Sequence, residues 1–198
     1  MQTLTALLFD NFETLDLFGP IEMFGSLPKC YRLQYASIAG GIIRNKHGVA
    51  IQTIAITKLE YSTNILLIVG GMGTRPLVAD HLFLQSLKQL ADNADWVLSV
   101  CTGSALLAKA GMLDNKRATS NKLAWDWVTA QSSQVNCVRQ ARWVIDGKYY
   151  TSSGVSAGMD MTLGFIADRH NIDTAYRIAH YAEYTWQQDS EVDSFYCP

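Results

Sequence analysis

The sequence has few charged residues and no cluster of one sign. Lys, Arg, Asp and Glu make up 17% of the 198 residues, the formal net charge is −2, and Lys or Arg never occur more than twice in succession. Because proteins hold nucleic acid through clustered positive charge, this composition argues against a nucleic-acid partner. No apolar stretch reaches the ~20 residues that cross a bilayer, and the N-terminus lacks the basic start of a signal peptide. We therefore expect a cytoplasmic protein without a membrane partner.

Cysteine is also scarce, with four residues in the chain: Cys30, Cys101, Cys137 and Cys197. Their wide spacing contains no CxxC pair and no Cys/His pattern of a zinc site, so we predict no metal centre. A reducing cytoplasm argues against disulfides. We interpret three of these thiols as structural, whereas Cys101 differs from them by its setting.

Short apolar runs alternate with helical patterns along the whole chain. Such alternation predicts an α/β fold, with a mostly parallel sheet and helices on both of its faces. Since we find no linker and no repeat, we expect a single domain over residues 1–198. The predicted strands are 5–9, 31–39, 49–56, 65–69, 96–100 and 117–120, with a hairpin at 142–151 that turns at Asp146-Gly147; the predicted helices are 15–27, 77–93, 103–110, 123–130, 155–170 and 171–186, followed by an extended tail at 191–198.

Cys101 stands where an apolar run ends and a helix-forming run of small residues begins. This pattern predicts a sharp corner between a strand and a helix, with small residues, Ser99 and Gly103, two positions to either side, as in the nucleophile elbow of hydrolases. The amide groups at the start of the helix would favour the thiolate. Cys101 is therefore our candidate nucleophile.

Gly70 and Gly71 follow the most apolar of the predicted strands, so they lie at the same edge of the sheet as Cys101. The loop does not fit a dinucleotide-binding GxGxxG motif, because the third glycine would fall on Pro76, and it is not a phosphate loop. Two interpretations remain. The glycines can serve a turn that needs a positive φ, or the bare amides of Gly70 and Gly71 can form an oxyanion hole for the Cys101 reaction.

Asp16 follows the first predicted strand, in a largely apolar stretch. It can be a helix N-cap or a solvated turn residue. Alternatively, burial beside the thiol can raise its pKa, so that it stays protonated and acts as a general acid. Glu22, later in the same helix, is the weaker candidate. Among the four histidines, none occurs at a strand end that would place it beside Cys101 as a base.

The order of several motifs resembles the ThiJ/PfpI superfamily, a class I glutamine amidotransferase-like group. The motifs are Asp16-Leu17-Phe18-Gly19-Pro20, Gly70-Gly71-Met72-Gly73, Cys101-Thr102-Gly103, Arg117-Ala118-Thr119 and residues 154–160, so they span nearly the whole chain. The resemblance implies a flavodoxin-like three-layer sandwich and a homodimer. Members of the superfamily include intracellular proteases, glyoxalase or deglycase proteins, isonitrile hydratases and the sensor half of AraC-type regulators.

Two positions distinguish the branches of that superfamily. Protease-like members carry histidine where this chain has Thr102, and deglycase-like members carry histidine where it has Asn121. The combination of Asp16 with Cys101 and Thr102 resembles the isonitrile hydratase branch. The implied site is Cys101, Asp16 and Thr102, with amides from Gly71 and Gly70. We expect no helix-turn-helix region of the kind that a regulator needs.

The resemblance and the residues together predict a cofactor-free enzyme that adds water to a small-molecule isonitrile through Cys101. Asp16 would deliver the proton, and the product would be an N-substituted formamide. Two alternatives remain open. One is a glyoxalase or deglycase, and the other is a non-enzymatic redox or stress-response protein that senses oxidation of Cys101.

Overall fold

An eight-stranded sheet between two groups of helices forms the predicted α/β three-layer architecture. The computed structural model describes residues 1–196. The strands are β1 (Gln2–Leu7), β2 (Tyr31–Ser37), β3 (Gly41–Arg44), β4 (Ala50–Ala55), β5 (Ile65–Ile68), β6 (Trp96–Ser99), β7 (Arg117–Ala118), β8 (Asn136–Cys137), β9 (Trp143–Asp146) and β10 (Tyr149–Ser152). The helices are α1 (Thr14–Gly25), α2 (Thr74–Leu77), α3 (His81–Asn93), α4 (Gly103–Lys109), α5 (Trp125–Thr129), α6 (Ala157–Arg169) and α7 (Ile172–Tyr181), with a 3-10 turn at Ile56–Lys58.

The strand order β3-β4-β2-β1-β5-β6-β10-β9 places β1, β5 and β6 side by side at the centre of the sheet. These three strands are parallel, and their last residues are in register, Leu7 with Ile68 and Ile68 with Ser99. Their carboxyl ends therefore meet at one edge. The segments that follow them carry Asp16, Gly70 and Cys101, so the topology brings the predicted site residues together.

The centre of the sheet is apolar on both faces. All four residues of β5 are fully buried, which is the pattern of a parallel strand covered by helices on each side. On one face, the ring of Phe165 in α6 packs edge-on against Phe24, Tyr150 and Trp96, at centroid distances of 5.7, 5.1 and 5.9 Å. This rigid core supports the strand ends from which the site residues project.

The structure departs from the predicted elements in several places. The strand β3 was not predicted, because its four residues are mostly exposed at the sheet edge, where they pair antiparallel with β4. The helix predicted over 77–93 begins at His81 instead, and a separate short helix, α2, ends at Leu77. The break occurs at Asp80, whose carboxylate accepts a hydrogen bond of 3.0 Å from the amide of Phe83 and so caps the start of α3.

The hairpin is confirmed, but its turn is displaced by one residue. Tyr149 pairs with Asp146, so the two central residues are Gly147 and Lys148 rather than Asp146 and Gly147. Gly147 has φ +60°, as the first central position of a tight hairpin turn requires.

The C-terminal region differs most from the prediction. The last helix ends at Tyr181 instead of continuing to residue 186. The predicted extended tail packs onto the protein, with Asp193 only 3% exposed and ion-paired to Arg142. Cys197 lies outside the described residues. No helix within residues 1–196 is long and apolar enough to cross a membrane.

Candidate active site

Cys101 occupies the predicted corner between β6 and α4. Its φ of +57° is in the left-handed region, which is strained for a residue with a side chain. The corner is held by backbone contacts, since its amide donates to the carbonyl of Ser153 at 3.1 Å and its carbonyl accepts from the Ser120 hydroxyl at 2.8 Å. A side chain at Gly103 would meet the carbonyl oxygen of Ile68 at 2.7 Å, so only glycine fits there. The elbow geometry predicted from the sequence is confirmed.

Asp16 lies beside Cys101 in the first turn of α1 and is fully buried. Its Oδ2 accepts a hydrogen bond of 2.8 Å from the amide of Gly70, whereas its Oδ1 is buried and has no hydrogen-bond partner among residues 1–196. Burial raises the pKa of Asp16 to about 8, with a smaller rise from the charge of Glu13. At neutral pH the carboxyl group is therefore mostly protonated. The N-cap interpretation of Asp16 is wrong, because Glu13 occupies that position.

The groups around the Cys101 sulfur shift the pKa of the thiol in both directions. Burial, followed by the Asp16 carboxylate, raises the pKa of the thiol, whereas the amides of Thr102 and Val155 and the side chain of Asn121 lower it by donating to sulfur. Burial dominates, with Cys101 only 6% exposed. The amide at the start of α4 therefore lowers the pKa of the thiol, as predicted, but burial outweighs it and disfavours the thiolate in this structure.

Gly70 and Gly71 orient side chains rather than offering free amides. The Gly70 amide is taken by Asp16, and the Gly71 amide donates to Thr102 Oγ1 at 2.9 Å. The Thr102 hydroxyl also accepts from the Thr74 hydroxyl at 3.2 Å. The oxyanion-hole prediction for these two amides is wrong in this structure, since both already have partners. The turn interpretation is confirmed at Gly71, where φ is +122°.

Sequence reasoning missed one partner of the sulfur and left the role of another open. Val155 has φ +49°, a rare conformation for a β-branched residue, and its amide lowers the pKa of the Cys101 thiol. Asn121 stands where deglycase-like members carry histidine, and its side chain donates to the sulfur. Only the asparagine had a signal in the sequence, namely its place after Thr119-Ser120.

The other titratable candidates are not at the sulfur. Glu22 is exposed on α1. His47 Nδ1 lies 2.7 Å from the Thr14 hydroxyl, and His170 Nε2 lies 2.7 Å from the Tyr31 hydroxyl, so both are engaged elsewhere. The acid at the site is Asp16.

Gly70→Ala is expected to disrupt the site. A Cβ at this position would lie 2.6 Å from the Thr102 amide and 2.9 Å from Asp16 Oδ2, and the first of these contacts is to backbone that cannot move freely. We expect a loss of about 1–3 kcal/mol in the free energy of unfolding, measured with urea. Gly25→Ala is the matched control, because its nearest contact is an ordinary 3.8 Å to Leu33. Equal stabilities of the two variants would contradict this account of Gly70.

Comparison with known proteins places this site in a family. The model of the DJ-1/PfpI family matches residues 3–168. The chain is 31% identical over 180 residues to isonitrile hydratase from Pseudomonas putida, covering 90% of this chain and 76% of that protein. It is 29% identical over 187 residues to the HTH-type transcriptional regulator GbdR from Pseudomonas aeruginosa, covering 90% of this chain but 49% of the regulator.

Comparison with solved structures leads to the same family. A crystal structure of a ThiJ/PfpI family protein from Pseudomonas syringae superposes with a TM-score of 0.83 at 26% identity, covering 94% of this chain and 76% of that one. The flavodoxin-like architecture, the cysteine elbow after β6 and the acid after β1 accompany a family match over most of the chain. The protein belongs to the DJ-1/PfpI family.

Proposed function

We propose that the protein hydrates an isonitrile to an N-substituted formamide, with Cys101 as nucleophile and Asp16 as acid and base. The observation that carries this proposal is the fully buried, mostly protonated carboxyl group of Asp16 beside the Cys101 thiol. The 31% identity to an isonitrile hydratase supports the choice of substrate class. The redox-sensor alternative fits less well, because oxidation-sensing thiols are open to solvent, whereas Cys101 is only 6% exposed.

The first step adds Cys101 to the terminal carbon of the isonitrile. Asp16 gives its proton to that carbon while the sulfur forms a bond to it, and the thiol proton passes to the Asp16 carboxylate. The product is a thioimidate, R–N=CH–S–Cys, and Asp16 is again protonated. The step needs an acid that keeps its proton at neutral pH, which burial provides for Asp16.

The second step replaces sulfur by water. Asp16 donates its proton to nitrogen and takes one from the attacking water, which gives R–NH–CH(OH)–S–Cys. The C–S bond then breaks, the hydroxyl proton passes to Asp16, and the Asp16 proton passes to sulfur, which restores the thiol and releases the formamide. We assign the orientation of the water to the Thr102 hydroxyl, which is next to the nucleophile and would exchange its bond to the Gly71 carbonyl for one to the water.

Incubation with cyclohexyl isocyanide tests the proposal. We expect N-cyclohexylformamide in the wild type, measured by liquid chromatography and mass spectrometry, and none above the uncatalysed level in Cys101→Ala. Cys137→Ala is the matched control, because that thiol is exposed and lies on β8, outside the central sheet, and it is expected to keep full activity. Absence of formamide, or equal turnover in Cys101→Ala, would refute the proposal. Lactate formed from methylglyoxal instead would favour the glyoxalase alternative.

A further inference from the structure

Arg75 is a cation that pairs with no acidic group in the part of the chain that the structure describes. It lies in the short helix α2, and none of the ion pairs within residues 1–196 includes it. Its Nη1 is buried and has no hydrogen-bond partner within the same residues. A buried donor without a partner costs free energy, so native proteins satisfy such donors with ordered water or a ligand.

The guanidinium group of Arg75 lies flat on an aromatic ring. Its Cζ is 3.4 Å from the centroid of the Trp127 ring in α5, so the indole covers one face of the cation. This stacking fixes the plane in which the N–H groups point. A guanidinium held in one plane can donate two parallel hydrogen bonds to a carboxylate with little further loss of side-chain freedom.

The two segments that carry this stacked pair also hold the nucleophile. The hydroxyl of Thr74, the residue before Arg75, donates to Thr102 Oγ1 at 3.2 Å. In the segment that leads into α5, the Ser120 hydroxyl donates to the Cys101 carbonyl at 2.8 Å. The stacked pair therefore bridges the two segments that hold the nucleophile and its neighbour. Burial lowers the pKa of Arg75 and a negative charge on the sulfur raises it, which agrees with a short distance between the two groups.

Other buried polar atoms without a partner belong to the same edge of the sheet. Within residues 1–196 there are five such side-chain atoms, and three of them lie in segments at the carboxyl ends of β1, β5 and β6: Asp16 Oδ1, Arg75 Nη1 and Ser99 Oγ. These three strands are neighbours in the sheet. A ligand carboxylate accepts hydrogen bonds both from a guanidinium group and from a protonated carboxyl group, which are the forms of Arg75 and Asp16 at neutral pH.

The charges at this edge favour a ligand with a single negative charge. Arg75 supplies one positive charge, whereas Lys46, which acts on the pKa of Asp16, is already paired with Glu13. A phosphate dianion would therefore keep one charge uncompensated. A carboxylate matches the guanidinium group both in charge and in planar shape.

We propose that Arg75, stacked on Trp127, binds the carboxylate group of a small ligand beside the Cys101 thiol. The inference goes beyond isonitrile hydration, because the isonitrile group carries no net charge and needs no cation. It assigns Arg75 to binding, and it predicts that compounds with a carboxylate reach the thiol more readily than their neutral amides.

The first test compares two alkylating reagents of nearly equal size. Iodoacetate carries a carboxylate and iodoacetamide a neutral amide, and the rate at which each modifies Cys101 is followed on the Cys101 peptide by mass spectrometry. We expect the ratio of the iodoacetate rate to the iodoacetamide rate to fall about tenfold in Arg75→Gln, the scale of one hydrogen bond to a charged group. The ratio cancels any general change in the reactivity of the thiol. An unchanged ratio in this variant overturns the site.

Arg32→Gln is the matched control for Arg75→Gln. Arg32 is also stacked on an aromatic ring, with its Cζ 3.6 Å from the centroid of Tyr61, but it lies near the start of β2 and therefore at the opposite edge of the sheet. We expect the wild-type ratio in this variant. An equal fall in both variants would mean that the protein's overall charge sets the ratio, and it too would overturn the site.

The second test uses the wild-type protein and does not depend on the folding of a variant. Propionate and propionamide are compared, at equal concentration and ionic strength, for protection of Cys101 against iodoacetamide. We expect saturable protection by propionate and none by propionamide. Equal protection by both compounds, or none by propionate, overturns the site. If propionate protects Cys101 but cyclohexyl isocyanide is not hydrated, the carboxylate site stands and the proposed function fails.

Discussion

Asp16→Asn is expected to lose activity and to gain stability at the same time. General acid and base steps contribute roughly 100- to 10,000-fold to a rate, so we expect kcat for isonitrile hydration to fall by at least about 100-fold. The amide cannot give up and take back a proton, although it keeps the size of the carboxyl group and an acceptor for the Gly70 amide. The measurement is kcat and KM with cyclohexyl isocyanide.

The gain in stability follows from the sign of the pKa shift. The pKa of Asp16 is raised from 3.8 in the unfolded chain to about 8 in the fold, so the folded state binds the extra proton between these values. The stabilisation from this group is fully present below pH 3.8 and is lost as the pH rises through about 8, at about 1.4 kcal/mol per pH unit. Asp16→Asn removes this slope and is therefore expected to unfold at a higher temperature than the wild type at pH 8.

The control for this pair of effects is Asp92→Asn. Asp92 is half exposed and pairs only with Lys88, one helical turn away. Its replacement should leave activity and the pH slope unchanged. Asp16→Asn with wild-type stability at pH 8, or with undiminished turnover, would contradict the role assigned to this carboxyl group.

The titration of Asp16 should also appear in the pH profile of the wild-type protein. Because the proposed first step uses protonated Asp16, kcat/KM is expected to be level below about pH 8 and to fall above it. The profile is measured with cyclohexyl isocyanide in overlapping buffers. A rate that rises through pH 8 would indicate that a thiolate, rather than the acid, limits the reaction.

Arg142→Ala is expected to be the most destabilising single substitution away from the apolar core. Arg142 is 6% exposed and bonds two buried carboxylates, with its Nε 2.7 Å from Asp160 Oδ2 and its Nη1 3.3 Å from Asp193. Removing it leaves both carboxylates buried without their main counter-charge. Breaking such a pair costs about 3–5 kcal/mol, which corresponds to a fall in Tm of about 10 °C.

The same substitution should free the C-terminal segment. The backbone amide of Gln187 and the hydroxyl of Tyr184 both bond Asp160 Oδ1, at 2.9 and 3.0 Å, so the network around Arg142 anchors this segment in two places. We expect faster proteolysis between residues 187 and 196 in the variant. The loss in Tm should be smaller at pH 5 than at pH 8, because a buried carboxylate without its partner takes up a proton more easily at low pH.

Lys88→Ala provides the comparison for Arg142→Ala. Its pair with Asp92 is exposed and four residues apart on α3, and pairs of this kind contribute about 0.3–0.5 kcal/mol. If both variants lost the same small amount of stability, the buried network would not have the role described here.

The sequence alone was sufficient for most of the strands and helices, although it missed β3 and the separate helix α2, and for placing Cys101 and Asp16 at one edge of the sheet. Two kinds of signal are local. Apolar runs identify the buried strands, and the change at Cys101 from an apolar run to a helix-forming run identifies the corner. Tertiary contacts only reinforce them. The acid after β1 was predictable because parallel strands bring their carboxyl ends to one edge, whichever residues form the rest of the sheet. These features depend on hydrophobic burial and chain geometry, which local patterns in the sequence determine.

The tertiary structure decided what the neighbours of Cys101 do. One of the two interpretations of Gly70 and Gly71 left their amides free to bind an oxyanion, but they are taken by Asp16 and Thr102, because these side chains come from elements that the sequence does not place at atomic distance. The pKa of Asp16 depends on its full burial, which is the sum of many packed groups. The packing of the C-terminal segment depends on the ion pair between Arg142 and Asp193, which are about fifty positions apart. Such quantities arise from contacts between distant segments, and no local pattern in the sequence encodes them.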